Sequence, residues 1–213
     1  MALLPVADAL RHILAGVEPL PAATIPLDRA AGRVLAAPLS ARLTQPPFDA
    51  SAMDGYAVRG ADLTAEPTSL AVIGEAAAGH PFSGSVGTGE ALRIFTGAPV
   101  PDGADAIVIQ EDARREDSAI IVTAADADAG HIRRRGCDFA AGDTLLAAGR
   151  RLNARDITLA AAMGHGTISV RRRPVVAVLS TGDELVPPGT TPAPGQIVAS
   201  NHLGIAALAT QFG

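Results

Sequence analysis

Between positions 42 and 138, no apolar run outlasts a few residues before Gly, Pro or a polar residue interrupts it. That punctuation excludes long helices and leaves short strands joined by turns. The runs at 71–73, 91–95, 106–109 and 119–123 have strand length. The last two flank the charged stretch 111–118, which predicts a hairpin with a long tip. Residues 42–138 therefore read as a compact, mostly β domain.

The flanks read differently. Val6, Leu10, Ile13, Leu14 and Val17 share one helical face, ended by Gly16 and Pro19. A second, weaker helical stretch covers 27–35. Asn153, with Asp156 three residues on, predicts a capped helix, and Gly164 suits its left-handed end. A strand over 167–170 follows. The β-branched run VVAVL at 175–179 then predicts a parallel strand covered on both faces. A helix starting at Ser200 or Asn201 carries Ile205, Leu208 and Phe212. The fold class is α/β plus mostly β, with residues 42–138 as a β-rich domain and 174–213 as the start of an α/β layer. One strand and one helix cannot cover each other's apolar faces, so the reading expects a fragment of a longer protein.

Composition narrows the function. Charged residues make up 18% of the 213, and the net charge is −5. Nothing supplies the positive field of a general nucleic-acid binder. Aromatics are 3%, too few for base-stacking platforms. Cys137 is the single cysteine, so no internal disulfide forms, and a reducing cytoplasm fits. No run suggests a secretory leader or a membrane span.

Four stretches could carry chemistry. PPFDASAMDGYAVR (46–59) places Asp49, Ser51 and Asp54 on a proline-stiffened loop. Two such acids can hold a hard cation such as Mg²⁺, or simply bond amides in their own turns. FTGAPVPDG (95–103) places Thr96 and Gly97 after a strand. There a hydroxyl can donate to an oxyanion and a glycine admits a ligand to the backbone, although an ordinary Gly/Pro loop has the same composition. IRRRGCD (132–138) offers Arg133, Arg134 and Arg135 to phosphate or carboxylate, or to solvent. STGDE (180–184) follows the expected parallel strand, where α/β sheets place ligands, with Thr181, Gly182, Asp183 and Glu184. The five histidines show no ligand spacing, and no dinucleotide or phosphate-loop fingerprint is present.

These four stretches, with GDTLLAAG after the arginines and GQIVASN after STGDELVPPG, resemble in order and spacing the molybdopterin molybdenumtransferases. This is the MoeA type, related to the C-terminal part of gephyrin. The resemblance implies an enzyme of molybdenum-cofactor assembly. With Mg²⁺, it would insert molybdenum from molybdate into adenylylated molybdopterin and release AMP. It further implies an elongated, multidomain homodimer in which residues 1–41 and 139–173 are two parts of a first domain, 42–138 the β-rich second and 174–213 the truncated start of an α/β third, with an active cleft between the second domain of one subunit and the third of the other. Asp54, Thr96, Asp138 and Glu184 match the family's catalytic positions, with Asp54 as the metal candidate. Ser51, Gly97, Arg133, Arg134, Arg135, Thr181, Gly182 and Asp183 match substrate-binding positions. Other molybdenum-cofactor biosynthesis proteins are implied as partners. The family's later Gly-Gly-Val-Ser and Pro-Gly-Asn-Pro type loops do not occur in this sequence, so the 213 residues alone would lack part of the site. The alternative reading is a non-catalytic dimerising or scaffolding module of the same family.

Overall fold

The computed structural model describes residues 4–64, 67–123 and 131–212. They are mostly β, with three α-helices, and divide into two compact units. One comprises residues 40–143 with 162–164, and the other 1–39, 144–161 and 165–213.

The first unit is built on a six-stranded sheet. Strand Gly55–Val58 pairs antiparallel with Glu90–Ile94 on one side and Ala106–Ile109 on the other. Thr68–Ala76 lies parallel to Glu90–Ile94, with a register shift between Val72 and Gly74. Ala119–Val122 follows, and Ala113–Glu116 forms the far edge. Successive side chains alternate between the faces, and each face has its own core. Tyr56, Val58, Leu70, Val108 and Ile120 pack on one, and Ala57, Leu92, Ile94 and Ile107 on the other. Strand Gly55–Val58 is buried on both sides, which explains its lack of charged residues.

The sheet corrects two expectations. The segment read as a stiff loop over 46–59 contains a central strand, all four of whose residues are buried. Gly55 is required there, because a Cβ would lie 2.1 Å from the Val108 carbonyl oxygen. The expected hairpin also has a different partner. Strand Ala119–Val122 turns back on Ala113–Glu116 through Asp117, which adopts φ 49°, a conformation Asp tolerates. Ala106–Ile109 sits at the opposite edge. The sequence Ala-Arg-Arg-Glu has no apolar periodicity; it is the charged strand of an exposed edge.

At the base of this unit the chain closes on itself. Ala50–Ser51 pairs antiparallel with Ile132–Arg133, and Gln45 bridges to Phe139. Ala41 N–H donates to the Asp143 carbonyl, and Gly142 N–H to the Ala41 carbonyl, both at 2.8 Å.

In the other unit, helix Val6–Leu14 forms as its periodicity predicts, and none of its residues is buried. The helix expected over 27–35 is a single 3₁₀ turn, Leu27–Arg29. Gly32 then turns out of helical space at φ +76°, and Val34 and Leu35 bridge to Arg151 and Val170. Strands Ala22–Pro26 and Thr167–Arg171 pair antiparallel, and Leu35, Leu152, Ala160 and Val170 of this unit are buried. Helix Ala154–Ala162 carries the predicted capping box. The Asn153 side chain accepts from Arg155 and Asp156 N–H, and the Asp156 carboxylate accepts from Asn153 N–H. Asp156 also pairs with Arg150 at 2.9 Å, and that partner, then the Asn153 amide, holds its carboxyl below the usual range.

Beyond Arg171 the expected parallel strand over 175–179 does not form. Val175 is 99% exposed and Leu179 87%, with no strand partner among the described residues. A strand needs a neighbour to satisfy its N–H and C=O groups. The parallel pair that does form is short, Leu185–Val186 with Ile197–Val198, followed by helix Asn201–Phe212.

Candidate functional site

In the sheet-bearing unit the first three motifs converge. Asp54 sits at the turn leading into the central strand, and Thr96 just past the end of the strand beside it. Thr96 lies 42 residues further along the chain, yet its N–H and its hydroxyl both donate to Asp54 Oδ1, at 2.8 and 2.7 Å. These bonds, the amide's first, and then the charge of Arg93 hold the Asp54 carboxyl below the ordinary carboxylate range. Because the Thr96 hydroxyl proton goes to Asp54, the oxyanion donation expected of that hydroxyl is replaced here by a bond within the site.

Arg93 is a residue that sequence reasoning missed. It occupies the fourth position of strand Glu90–Ile94, between Leu92 and Ile94. Its guanidinium stands over the rings of Tyr56 and Phe95, 5.1 and 4.7 Å from their centroids. It donates to the Gly55 carbonyl and to Gln110 Oε1. Its only sequence signal is a charge inside the apolar run 91–95.

Ser51 is buried, and its hydroxyl donates to the Met53 carbonyl at 2.6 Å. Ser51 N–H donates to the Ala98 carbonyl, while Gly97 N–H, at φ +83°, donates to the Ser51 carbonyl. Ser51 thus ties the Asp54 turn to the Thr96 loop.

The arginines divide their work. Arg134 pairs with Asp49 Oδ2 at 2.7 Å, and Arg135 N–H donates to Asp49 Oδ1 at 2.7 Å. Those two bonds, the amide's first, hold the Asp49 carboxyl below its usual range. Arg135 Nε also donates to the Pro47 carbonyl at 3.1 Å. Arg133 instead grips Asp138, with Nη2 2.6 and 2.7 Å from its two oxygens. Arg133, Asp138, Thr96, Gly97 and Ser51 line one cavity of about 350 Å³, walled also by Pro46, Pro47 and Phe48. Of the three arginines, Arg133 lines this cavity with its Asp138 partner. Arg134 and the Arg135 amide staple the proline loop.

The fourth motif lies in the other unit. Thr181 and Glu184 line a cavity of about 510 Å³ with Ser180, Asn201 and His202, at the start of helix Asn201–Phe212. Gly182 at φ +147° makes the turn, and its carbonyl accepts from Leu185 N–H. Asp183 follows in the same turn. Among the described residues, no three His, Cys, Asp or Glu converge as a metal cage. Mg²⁺ commonly takes one or two carboxylates and completes its shell with phosphate oxygens and water. Asp54, ionised and half-buried, meets that single-carboxylate requirement.

Two solved structures share this architecture, both of the molybdopterin biosynthesis MoeA protein from Pyrococcus horikoshii. One superposes with a TM-score of 0.92 at 32% identity, covering 99% of this chain and 57% of that one. The other gives 0.84 at 33% identity, covering 100% and 55%. The class is thus the β-rich fold that this chain shares with just over half of each of those chains. The profile described as the MoeA N-terminal region (domain I and II) matches residues 4–164, and the chain belongs to the MoeA family. Relatives named molybdopterin molybdenumtransferase include those of a Nostoc species, 42% identical over 193 residues, and Haemophilus influenzae, 39% over 201. Mycobacterium tuberculosis has one called molybdopterin molybdenumtransferase 2, 41% identical over 194. These matches cover 89%, 93% and 89% of this chain, and 44%, 50% and 48% of the relatives. The chain spans about half the length of the curated relatives it matches.

Proposed function

We propose that this chain is the front portion of an enzyme of molybdenum-cofactor biosynthesis. It would insert molybdenum from molybdate into adenylylated molybdopterin, release AMP, depend on Mg²⁺ and work as a homodimer in the cytoplasm. Residues 174–213 open its third, α/β domain. The observation that carries this reading is the Asp54–Thr96 pair at the mouth of the central strands, in a chain of the MoeA family.

The chemistry follows from the charge state of Asp54. Releasing AMP requires breaking a phosphoanhydride, whose barrier falls when phosphate charge is neutralised and the groups are held in place. A carboxylate with a lowered pKa is a weak proton acceptor, so Asp54 holds a cation or a water rather than acting as general base. Mg²⁺, when bound, supplies charge neutralisation at the phosphates. Arg133, oriented by Asp138, contacts anionic oxygens from the cavity wall. Ser51 and Gly97 hold the two loops at fixed separation, while Arg134 and Asp49 brace the proline segment. Thr181 binds substrate beside Glu184 on the cavity they line, and Gly182 and Asp183 contribute from the turn between them.

The test is molybdate- and Mg²⁺-dependent AMP release from adenylylated molybdopterin by the protein carrying this chain in full. Asp54→Ala and Glu184→Ala should each abolish release while leaving the fold intact. Undiminished release in both would remove the site assignment. Dimerisation without nucleotide binding or turnover would instead support the scaffolding reading.

A further inference from the structure

The proline segment has a second cavity on it, also within the sheet-bearing unit. It measures about 360 Å³ and is lined by Arg42, Thr44, Gln45, Pro47, Arg135 and their neighbours, with no acidic residue. Gln45 and Pro47 line this cavity and that of Arg133 alike, so the two share a wall.

The arginines here differ from the others of the unit. Arg133, Arg134 and Arg114 have carboxylate partners, Arg59 and Arg93 donate to side chains, and Arg115 to a carbonyl. Arg42 alone makes no side-chain hydrogen bond or ion pair among the described residues. Arg135 is fixed at its base by the Nε bond to Pro47, and its amide is fixed by Asp49. Its two Nη groups make no bond among the described residues. Arg135 is thus anchored with its Nη donors unused among the described residues, and Arg42, unpartnered among them, lines the same cavity. The Thr44 hydroxyl, which accepts from Ala141 N–H at 3.2 Å, keeps its own proton to donate. Two arginines on one cavity that has no carboxylate in its lining are suited to a doubly charged oxyanion, which guanidiniums bind through charge-assisted hydrogen bonds. The volume reaches the range of small-molecule clefts, about 300 Å³ upward, and Leu43 and Ala141 add apolar wall. A bare ion would leave most of that space unfilled.

We propose that Arg42 and Arg135 form a second anion site on the sheet-bearing unit, taking the phosphate group of a small phosphomonoester. The site rests on no assumption about molybdenum insertion.

The experiment is an NMR titration of the ¹⁵N-labelled 213-residue chain with phenyl phosphate, and separately with inorganic phosphate. Saturable shifts are expected at the amides of residues 43–45 and 141, stronger at low ionic strength. Arg42→Ala should weaken binding by about tenfold or more, as loss of a charge-assisted bond predicts, and Arg42→Lys should recover part of it. Arg114→Ala, on the far edge strand, should leave it unchanged. The same affinity in Arg42→Ala, or shifts that never saturate, would overturn the site. Equal affinity for phosphate and phenyl phosphate would overturn the ester as its occupant. Because the readout is binding, failure here leaves the AMP-release test untouched.

Discussion

Residues 55–58 and 175–179 make opposite use of their sequence. Gly-Tyr-Ala-Val follows an Asp-Gly turn signal, yet it is buried throughout. Val-Val-Ala-Val-Leu reads as ideal core, and its two end residues are almost fully solvent-exposed. The difference is neighbours. Strand Gly55–Val58 has a strand on each side and a core on each face, whereas residues 175–179 have no ladder among the described residues. Apolar patterning states what a segment needs; strand pairing far along the chain decides whether it is supplied.

This contrast can be broken most sharply with glycine. Gly55→Ala drives a Cβ into the Val108 carbonyl and should destabilise the unit by about 3–5 kcal/mol, the range of severe core disruption. Urea unfolding measures it. Gly204→Ala, in the C-terminal helix with open space around it, should instead favour the helix by about 1 kcal/mol, read as helicity by circular dichroism.

Leucines sharpen the same point. Leu92→Ala, fully buried, should cost about 2–5 kcal/mol through transfer and cavity terms. Leu208→Ala, 54% exposed, should change stability by less than about 0.5 kcal/mol, as surface changes do. An equal cost at both positions would mean that the helix is packed as tightly as the sheet.

A smaller effect tests the cap. Asn153→Ala removes the acceptor for two N–H groups and should cost about 1 kcal/mol. The smallest effect is electrostatic. Asp49 and Asp54 both have lowered folded-state pKa values. Their stabilising contribution is complete above the unfolded carboxylate value of 3.8 and is lost as pH falls through the folded values. Asp54→Asn should therefore flatten the acid side of the stability curve. An unchanged slope would mean that the Thr96 bonds do not discriminate charge.

Much of the fold was legible. Strands Glu90–Ile94 and Ala106–Ile109, helix Val6–Leu14 and the Asn153 cap all announce themselves through periodicity or capping chemistry. Ala113–Glu116 was hidden because an exposed edge needs charge, and charge reads as loop. The site was legible as a set of residues but not as an arrangement. Asp54 and Thr96 could each be picked out, yet nothing local says that they meet across strands 42 residues apart. The arginine run reads as one basic patch because a sequence cannot show that Asp49, 85 residues away, takes up its second member.

The mutual hydrogen bonds of Ala41 with Gly142 and Asp143 carry a consequence for ancestry. The outgoing end of about a hundred residues comes back to the place where its incoming end began. Such a module can be inserted into a host, exchanged for a homologous one or removed without stretching the host backbone.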